Sequence, residues 1–150
     1  TPFEKSMENL AERIIYTGTI DEYYDYCHGD LEYVGISHSY NDENIGLSQL
    51  NYTHQAFNFT RKFCYNYYKP NIKSDIYTTA VEEAGKDKSP AYPVNTIKNN
   101  ELYARYKNIP NNKVIFAGRL GSYQYLDMDK TIEIALELVE KLCNKVSINH

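Results

Sequence analysis

Ile132, Ala135, Leu136, Val139, Leu142 and Val146 recur at three- and four-residue steps. That spacing lays them along one face of an α-helix, which then needs a surface to cover. Asp127 or Asp129 caps the start of this helix, and Glu137 followed by Lys141 adds a favourable pair four residues apart. Just upstream, "KVIFAG" (113–118) reads as a short buried strand that ends at a glycine. Residues 111–150 are therefore a strand–loop–helix unit, with Arg119, Tyr123, Tyr125 and Asp127 in its loop.

The rest of the chain reads less sharply. "SMENLAERI" has weak helical periodicity, and "RIIYTG" (13–18) is a short strand ending at a glycine. "TIDEYYDYCHG" is a helical turn stopped at Gly29, while "LEYVGISHSY" alternates as a strand does. "GLSQLNYTHQAFNFTRKFCYNYY" forms one or two strands with bends, and "SDIYTTAVEE" a further strand. "AGKDKSPAYPVN", with two prolines and a charge run, reads as loop. "TIKNNELYARYKNI" is a helix with Ile97, Leu102 and Tyr106 near one face, stopping before Pro110. Strands in the middle with helices after them give an α+β fold: a mostly antiparallel mixed sheet, a long C-terminal helix and one or two further helices.

Several function classes fall away. A net charge of −4 gives no attraction to nucleic acid or to an anionic membrane. No apolar run approaches the roughly 20 residues that span a bilayer, and "TPFEKSMENL" is too polar for a signal peptide. Cys27, Cys64 and Cys143 are odd in number and widely spaced, which points to a reducing compartment, the cytoplasm. The sequons at Asn51 and Asn58 then carry no glycan. Nothing reads as GxGxxG after a strand, as a phosphate-binding P-loop, as GxSxG or as metal-ligand spacing. His28, His38, His54 and His150 are scattered, with no evident Cys or Ser partner for nucleophilic catalysis.

Chemistry concentrates in the loop after Gly118. A helix starting near residue 128 opens with unpaired N–H groups and a partial positive charge, which favour an anionic or electron-rich group. Arg119 adds a fork of donors. Tyr123 and Tyr125 share a face if the loop is extended, offering hydroxyls to phosphate or sugar oxygens. The same Gly and Asp also serve merely to turn and cap a chain, and both readings stand on the residues alone.

Longer motifs go further. "VIFAGRLGSYQYLDMDKTIEIAL" resembles the C-terminal signature of the UDP-galactopyranose mutase family, close to "GRLxxYxYxDMD". "RIIYTGTIDEYYDYCHGDLEY" resembles its "YTGxID-[FY]" segment and the "GxLxYR" that follows. "NYTHQAFNFTR" is similar to its "NYTxxxxPYTR", with the same ten-residue step from Asn51 to Arg61. "SPAYPVNTIKNNELYARYK" is similar to "PYYPV…NxxLYxxY". These ordered blocks run from about residue 13 to 142.

The resemblance implies a flavoenzyme that interconverts UDP-galactopyranose and UDP-galactofuranose for cell-surface polysaccharide and works only with reduced FAD. Flavin N5 attacks the anomeric carbon, UDP leaves, and the sugar recloses in the other ring size. It also implies that Tyr92, Tyr125 and Arg61 hold the diphosphate and that Asn51 lies near sugar and flavin. Arg119 and Asp127 shape the flavin side, and the backbone at Met128 faces the flavin pyrimidine edge. Residues 13–110 form the substrate-side sheet region and 111–150 close the flavin site, within a single C-terminal portion of such an enzyme. The family's N-terminal FAD region has no counterpart here, so the isolated chain is expected to lack FAD and to be inactive. UDP-galactose is the implied partner, and open sheet edges would favour a homo-oligomer.

The chain departs from the pattern after Arg61, where Lys62, Phe63, Cys64, Tyr65 and Asn66 replace "xxEHK". The family's acidic position falls at Thr79 by counting back from Tyr92, with Glu82 or Glu83 as substitutes across a gap. Val34, Gln124 and Ala91 stand where an arginine, a basic residue and a tyrosine are usual. These changes admit another nucleotide sugar. They also admit a different class of protein, a non-catalytic nucleotide-sugar-binding or interaction domain.

Overall fold

The computed structural model describes residues 3–54, 56–68 and 76–147, with only the backbone at 145–147. In chain order its strands are β1 (Ile14–Tyr16), β2 (Tyr33–Asn41), β3 (Gln49–Asn51), β4 (Arg61–Cys64), β5 (Thr79–Gly85), β6 (Ser89–Pro93) and β7 (Val114–Phe116). The α-helices are α1 (Ile20–Tyr23), α2 (Ile97–Lys107), α3 (Gly118–Gly121) and α4 (Met128–Ser147). Short 3₁₀ helices cover Lys5–Leu10 and Tyr65–Tyr68. One sheet is a parallel β1–β7 pair, and the other runs β3–β4–β5–β2–β6 with antiparallel pairing along β3–β4–β5–β2. The fold is α+β, as expected.

The chain forms two compact units, Thr1–Tyr33 with Ala91–His150, and Val34–Pro90. In the first, Ile14, Ile15 and Tyr16 pair with Val114, Ile115 and Phe116. Its core is unusually rich in tyrosine: Ile20, Leu31, Tyr106 and Tyr123 make one buried cluster, and Tyr16, Tyr23 and Val114 another. A buried tyrosine needs a partner for its hydroxyl. Tyr106 donates to the Gly29 carbonyl at 2.6 Å and accepts from the His28 N–H at 3.1 Å. Tyr23 donates to Glu8 at 2.7 Å, and burial above all pushes its hydroxyl up to about 12.

Helix α2 starts at Thr96, whose side chain accepts from the Asn99 N–H. Ile97 does not lie on its covered face, being 82% exposed. Asn99, Leu102, Tyr103 and Tyr106 form that face, at steps of three and four, and Ile97 sits two residues, about 200° of rotation, away from Asn99.

Helix α4 begins at Met128, so Asp127 takes the N-cap position and Asp129 the first turn. The Thr131 N–H and hydroxyl both donate to the Asp127 carbonyl at 2.9 Å. Lys141 reaches Glu137 at 3.5 Å, as the spacing predicted. The expected apolar face is only partly covered. Thr131, Ile134, Leu138 and Val139 line a small apolar cavity together with Ile15 and Ala117, whereas Ile132 and Leu136 are 60% and 62% exposed. The apolar stripe is thus wider than the surface α4 meets, and the side chain of Val146 lies outside the described residues.

The second unit is built on β5, whose Thr79, Ala80, Val81 and Glu82 are all buried. The stretch 84–95, read from sequence as loop, contains β6. Pro90 and Pro93 are tolerated because β6 is an edge strand, where a missing N–H breaks no internal ladder. The expected strand at 74–83 is present from Thr79, and residues 69–75 lie outside the described part.

Candidate functional site

The residues singled out from sequence fall into two groups, one in each unit. In the second unit the strand register builds the first group. Asn51 lies opposite Arg61, Arg61 opposite Glu82, and Glu82 opposite His38. Directly paired residues point to the same face, so these four side chains form a row across β3, β4, β5 and β2. Arg61 Nε donates to Glu82 Oε1 at 2.8 Å, and Thr60 Oγ1 donates to the same oxygen at 2.9 Å. His38 Nε2 lies 3.6 Å from Oε2. The Glu82 side chain is 8% exposed and that of Arg61 38%, so a nearly buried carboxylate fixes a guanidinium whose outer edge meets solvent. The guanidinium carbon also sits 5.7 Å from the Phe63 ring centroid.

This geometry settles which acidic residue accompanies Arg61. Thr79, reached by counting, is fully buried and donates to the Glu43 carbonyl at 2.6 Å. Glu82 faces Arg61, while Glu83 pairs with Ser37 in the register and with Lys88 at 3.5 Å. The ungapped count reached Thr79, and of the two gapped alternatives the register selects Glu82. His38 and Thr60 were missed from sequence, and only knowledge of the register makes them neighbours.

The second group lies in the first unit, around Arg119. After β7 the chain turns at Gly118, whose φ of +71° suits glycine, and passes through α3. The Arg119 guanidinium then bonds back onto the loop it opens. Nε and Nη2 donate to the Leu126 carbonyl at 3.0 and 2.6 Å, and Nη1 to the Ala91 carbonyl at 3.4 Å. Its flat face lies 4.3 Å from the Tyr92 ring centroid and 6.0 Å from that of Tyr125. Tyr92 and Tyr125 stack on each other, centroids 5.3 Å apart and planes 23° apart. Arg119 is therefore a clasp for two tyrosines, a cation–aromatic arrangement that holds both rings.

Tyr123 and Tyr125 do not share a face. Tyr123 adopts φ +48° and is 2% exposed, its hydroxyl facing the Glu32 and Val94 carbonyls at 2.8 and 3.1 Å. Burial above all pushes that hydroxyl up to about 12. Tyr125 is 62% exposed. The loop is turned rather than extended, so one tyrosine anchors it and the other is presented. Beside Tyr125 an open cleft of about 470 Å³ is lined by Asn95, Asn100, Tyr103, Ser122 and Gln124. Asp127 and Met128 are exposed at the mouth of α4, where the first-turn N–H groups have no intrahelical acceptor. No group of three or more potential metal ligands occurs among the described residues.

Comparison with known proteins gives the family. The UDP-galactopyranose mutase family model matches residues 1–125, and the chain belongs to that family. It is similar to a dTDP-fucopyranose mutase of Escherichia coli, 29% identical over 136 residues, covering 85% of this chain and 36% of that protein. A probable UDP-galactopyranose mutase of Klebsiella pneumoniae is 28% identical over 142 residues, with 89% and 37% covered. A UDP-galactopyranose mutase of Mycoplasma pneumoniae is 28% identical over 152 residues, again with 89% and 37% covered. The chain thus spans little more than a third of the length of these relatives.

Proposed function

We propose that this chain is the substrate-side, C-terminal portion of a flavin-dependent nucleotide-sugar mutase that interconverts UDP-galactopyranose and UDP-galactofuranose. Residues 13–110 serve the substrate and 111–150 the flavin side. The observation that carries the reading is the Asn51–Arg61–Glu82 row, three residue types in the register an anion-binding arginine needs. Arg61 binds the diphosphate with its outer edge while Glu82 and Thr60 fix its inner edge. Asn51, beside Arg61, offers an amide to sugar hydroxyls. Tyr92 and Tyr125, stacked by Arg119, give their hydroxyls to the diphosphate. Holding both rings before the ligand arrives lowers the ordering cost of binding.

The residues at the α4 mouth fit a reduced flavin, which is electron-rich at its pyrimidine edge. The exposed first turn at Met128 offers N–H groups and a positive helix end, with Asp127 beside it. Arg119 contributes by holding the loop, since its donors already face the Leu126 and Ala91 carbonyls. Bound reduced FAD supplies the nucleophile for the anomeric carbon, and this chain's residues hold and orient the leaving diphosphate. The chain by itself is not active in this reading. No helix among the described residues is long and apolar enough to cross a membrane, and we assign the enzyme to the cytoplasm.

The name of the Escherichia coli relative favours a second sugar, a dTDP-linked deoxyhexose, as the substrate. Calorimetric titration of the full-length protein with UDP-galactose and with dTDP-fucose tests both readings. Binding of either that weakens at least tenfold in Arg61→Ala and Tyr125→Phe supports the assignment and chooses the sugar. Failure of both ligands to bind at millimolar concentration leaves a non-catalytic interaction domain.

A further inference from the structure

The Asn51–Arg61–Glu82–His38 row raises a question of charge. Arg61 contributes one positive charge and Glu82 one negative, while Asn51 is neutral. The row therefore offers a diphosphate no net charge unless His38 carries a proton. His38 stands at the end of the row, its side chain 37% exposed, on the far side of Glu82 from Arg61. Adjacent strands are about 4.8 Å apart, so Arg61 and His38 are separated by two such steps, with the carboxylate between them. Glu82 Oε1 has two close donors in Arg61 and Thr60. Oε2 has His38 at 3.6 Å.

We propose that His38 is a second anion-binding residue of this row, and that a nucleoside-diphosphate sugar binds it together with a proton. The proposal rests on the assignment of Arg61 to the diphosphate. Imidazole is the side chain that changes charge between about pH 5 and 8. With His38 neutral, an incoming diphosphate meets Glu82 compensated by Arg61 alone. With His38 protonated, two cations flank the carboxylate and the row carries a net positive charge toward the ligand. Because the ligand favours the protonated form, binding must draw a proton onto the imidazole.

Among the described residues few other charges compete. From β5 His38 faces Glu82, and from β4 it faces Arg61 and the Phe63 ring, 6.5 Å away between centroids. β6 carries no formally charged side chain in Ser89–Pro93, and β3 offers Asn51 to the row. On β2 itself the same-face neighbours two residues away are Ile36 and Tyr40. Lys62 is engaged with Glu43, and Lys88 with Glu83 and Asp87.

The test is the pH dependence of UDP-galactose binding to the full-length holoenzyme with its flavin oxidised, so that no turnover occurs. This ligand's diphosphate is a diester and keeps its charge across the range. Calorimetry in buffers of different ionisation enthalpy counts the protons taken up. The expected result is affinity that tightens about fivefold, the upper range for an exposed ion pair, as pH falls from about 8 to about 5.5, with net proton uptake. His38→Gln, whose amide can still reach Glu82, is expected to bind like the native protein at the higher pH and to show no such slope. His38→Lys is expected to bind tightly at both ends. A native slope that persists in His38→Gln, or a native protein with no slope, overturns the inference while leaving the Arg61 assignment standing. If His38→Gln is weaker by the same factor at every pH, the residue is structural and the inference also fails. Failure of the native protein to bind either UDP-galactose or dTDP-fucose at any pH overturns the assignment itself.

Discussion

Arg119→Lys isolates what the guanidinium does, because it keeps the charge and removes the fork. The native side chain places two donors on the Leu126 carbonyl, at 3.0 and 2.6 Å, and a longer one on Ala91 at 3.4 Å. A lysine ammonium can keep one contact to Leu126 and cannot stack flat on Tyr92, now 4.3 Å away. The net loss is one charge-assisted hydrogen bond, about 1.5–3 kcal/mol, and part of a cation–π contact worth about 0.5–1 kcal/mol at a partly exposed site. Solvent reaching the half-buried site returns some of this, leaving about 2 kcal/mol. For a chain of this size that is a fall in Tm of about 4–8 °C. Thermal unfolding followed by near-UV circular dichroism suits a chain with 16 tyrosines and no tryptophan. The change should also weaken UDP-galactose binding, since Tyr125 loses its backing. A Tm within about 1 °C of native, together with unchanged affinity, would refute the clasp.

Glu82→Gln keeps an acceptor for Arg61 and Thr60 but removes a charge from the row. Because Arg61 is 38% exposed, the stability loss should be only about 1 kcal/mol by urea denaturation, and UDP-galactose should bind no more weakly than to the native protein; weaker binding would contradict the charge argument. Tyr106→Phe should cost about 1–2 kcal/mol, because the Gly29 carbonyl and His28 N–H both lose the hydroxyl they share. Tyr123→Phe should cost less, since Glu32 O also accepts from the Val94 N–H and Val94 O from Thr96 and Asn99. Tyr23 and Tyr123 have hydroxyls pushed up to about 12 by burial. A folded-state pKa above the unfolded value gives stability that is whole below about pH 10 and falls as pH rises toward about 12. Alkaline unfolding in that window should move upward when either is replaced by Phe, relative to each variant's own neutral stability.

Helix α4 was legible in sequence because its periodicity runs for four turns, whereas the amount of that stripe α4 covers depends on partners periodicity cannot show. The strand at Ser89–Pro93 was hidden by its two prolines, which signal loop unless the strand is known to be an edge. Arg61 and Asn51 were legible as members of a motif, and the ten-residue step between them fits strands that pair at that register. The choice of Glu82 over Thr79 and Glu83, and the place of His38, came only from the ladder, because cross-strand neighbours need not be spaced regularly in sequence. Tyr123 and Tyr125 looked equivalent by alternation until a left-handed backbone at Tyr123 turned one ring inward.

The most direct test of the account is turnover of UDP-galactofuranose by the full-length protein with its flavin reduced by dithionite, the product being resolved by chromatography. The account predicts conversion to UDP-galactopyranose that collapses in Arg61→Ala and falls at least tenfold in Tyr125→Phe. A folded, flavin-bearing protein that converts neither UDP-galactofuranose nor a dTDP-linked furanose would contradict it. So would turnover indifferent to Arg61.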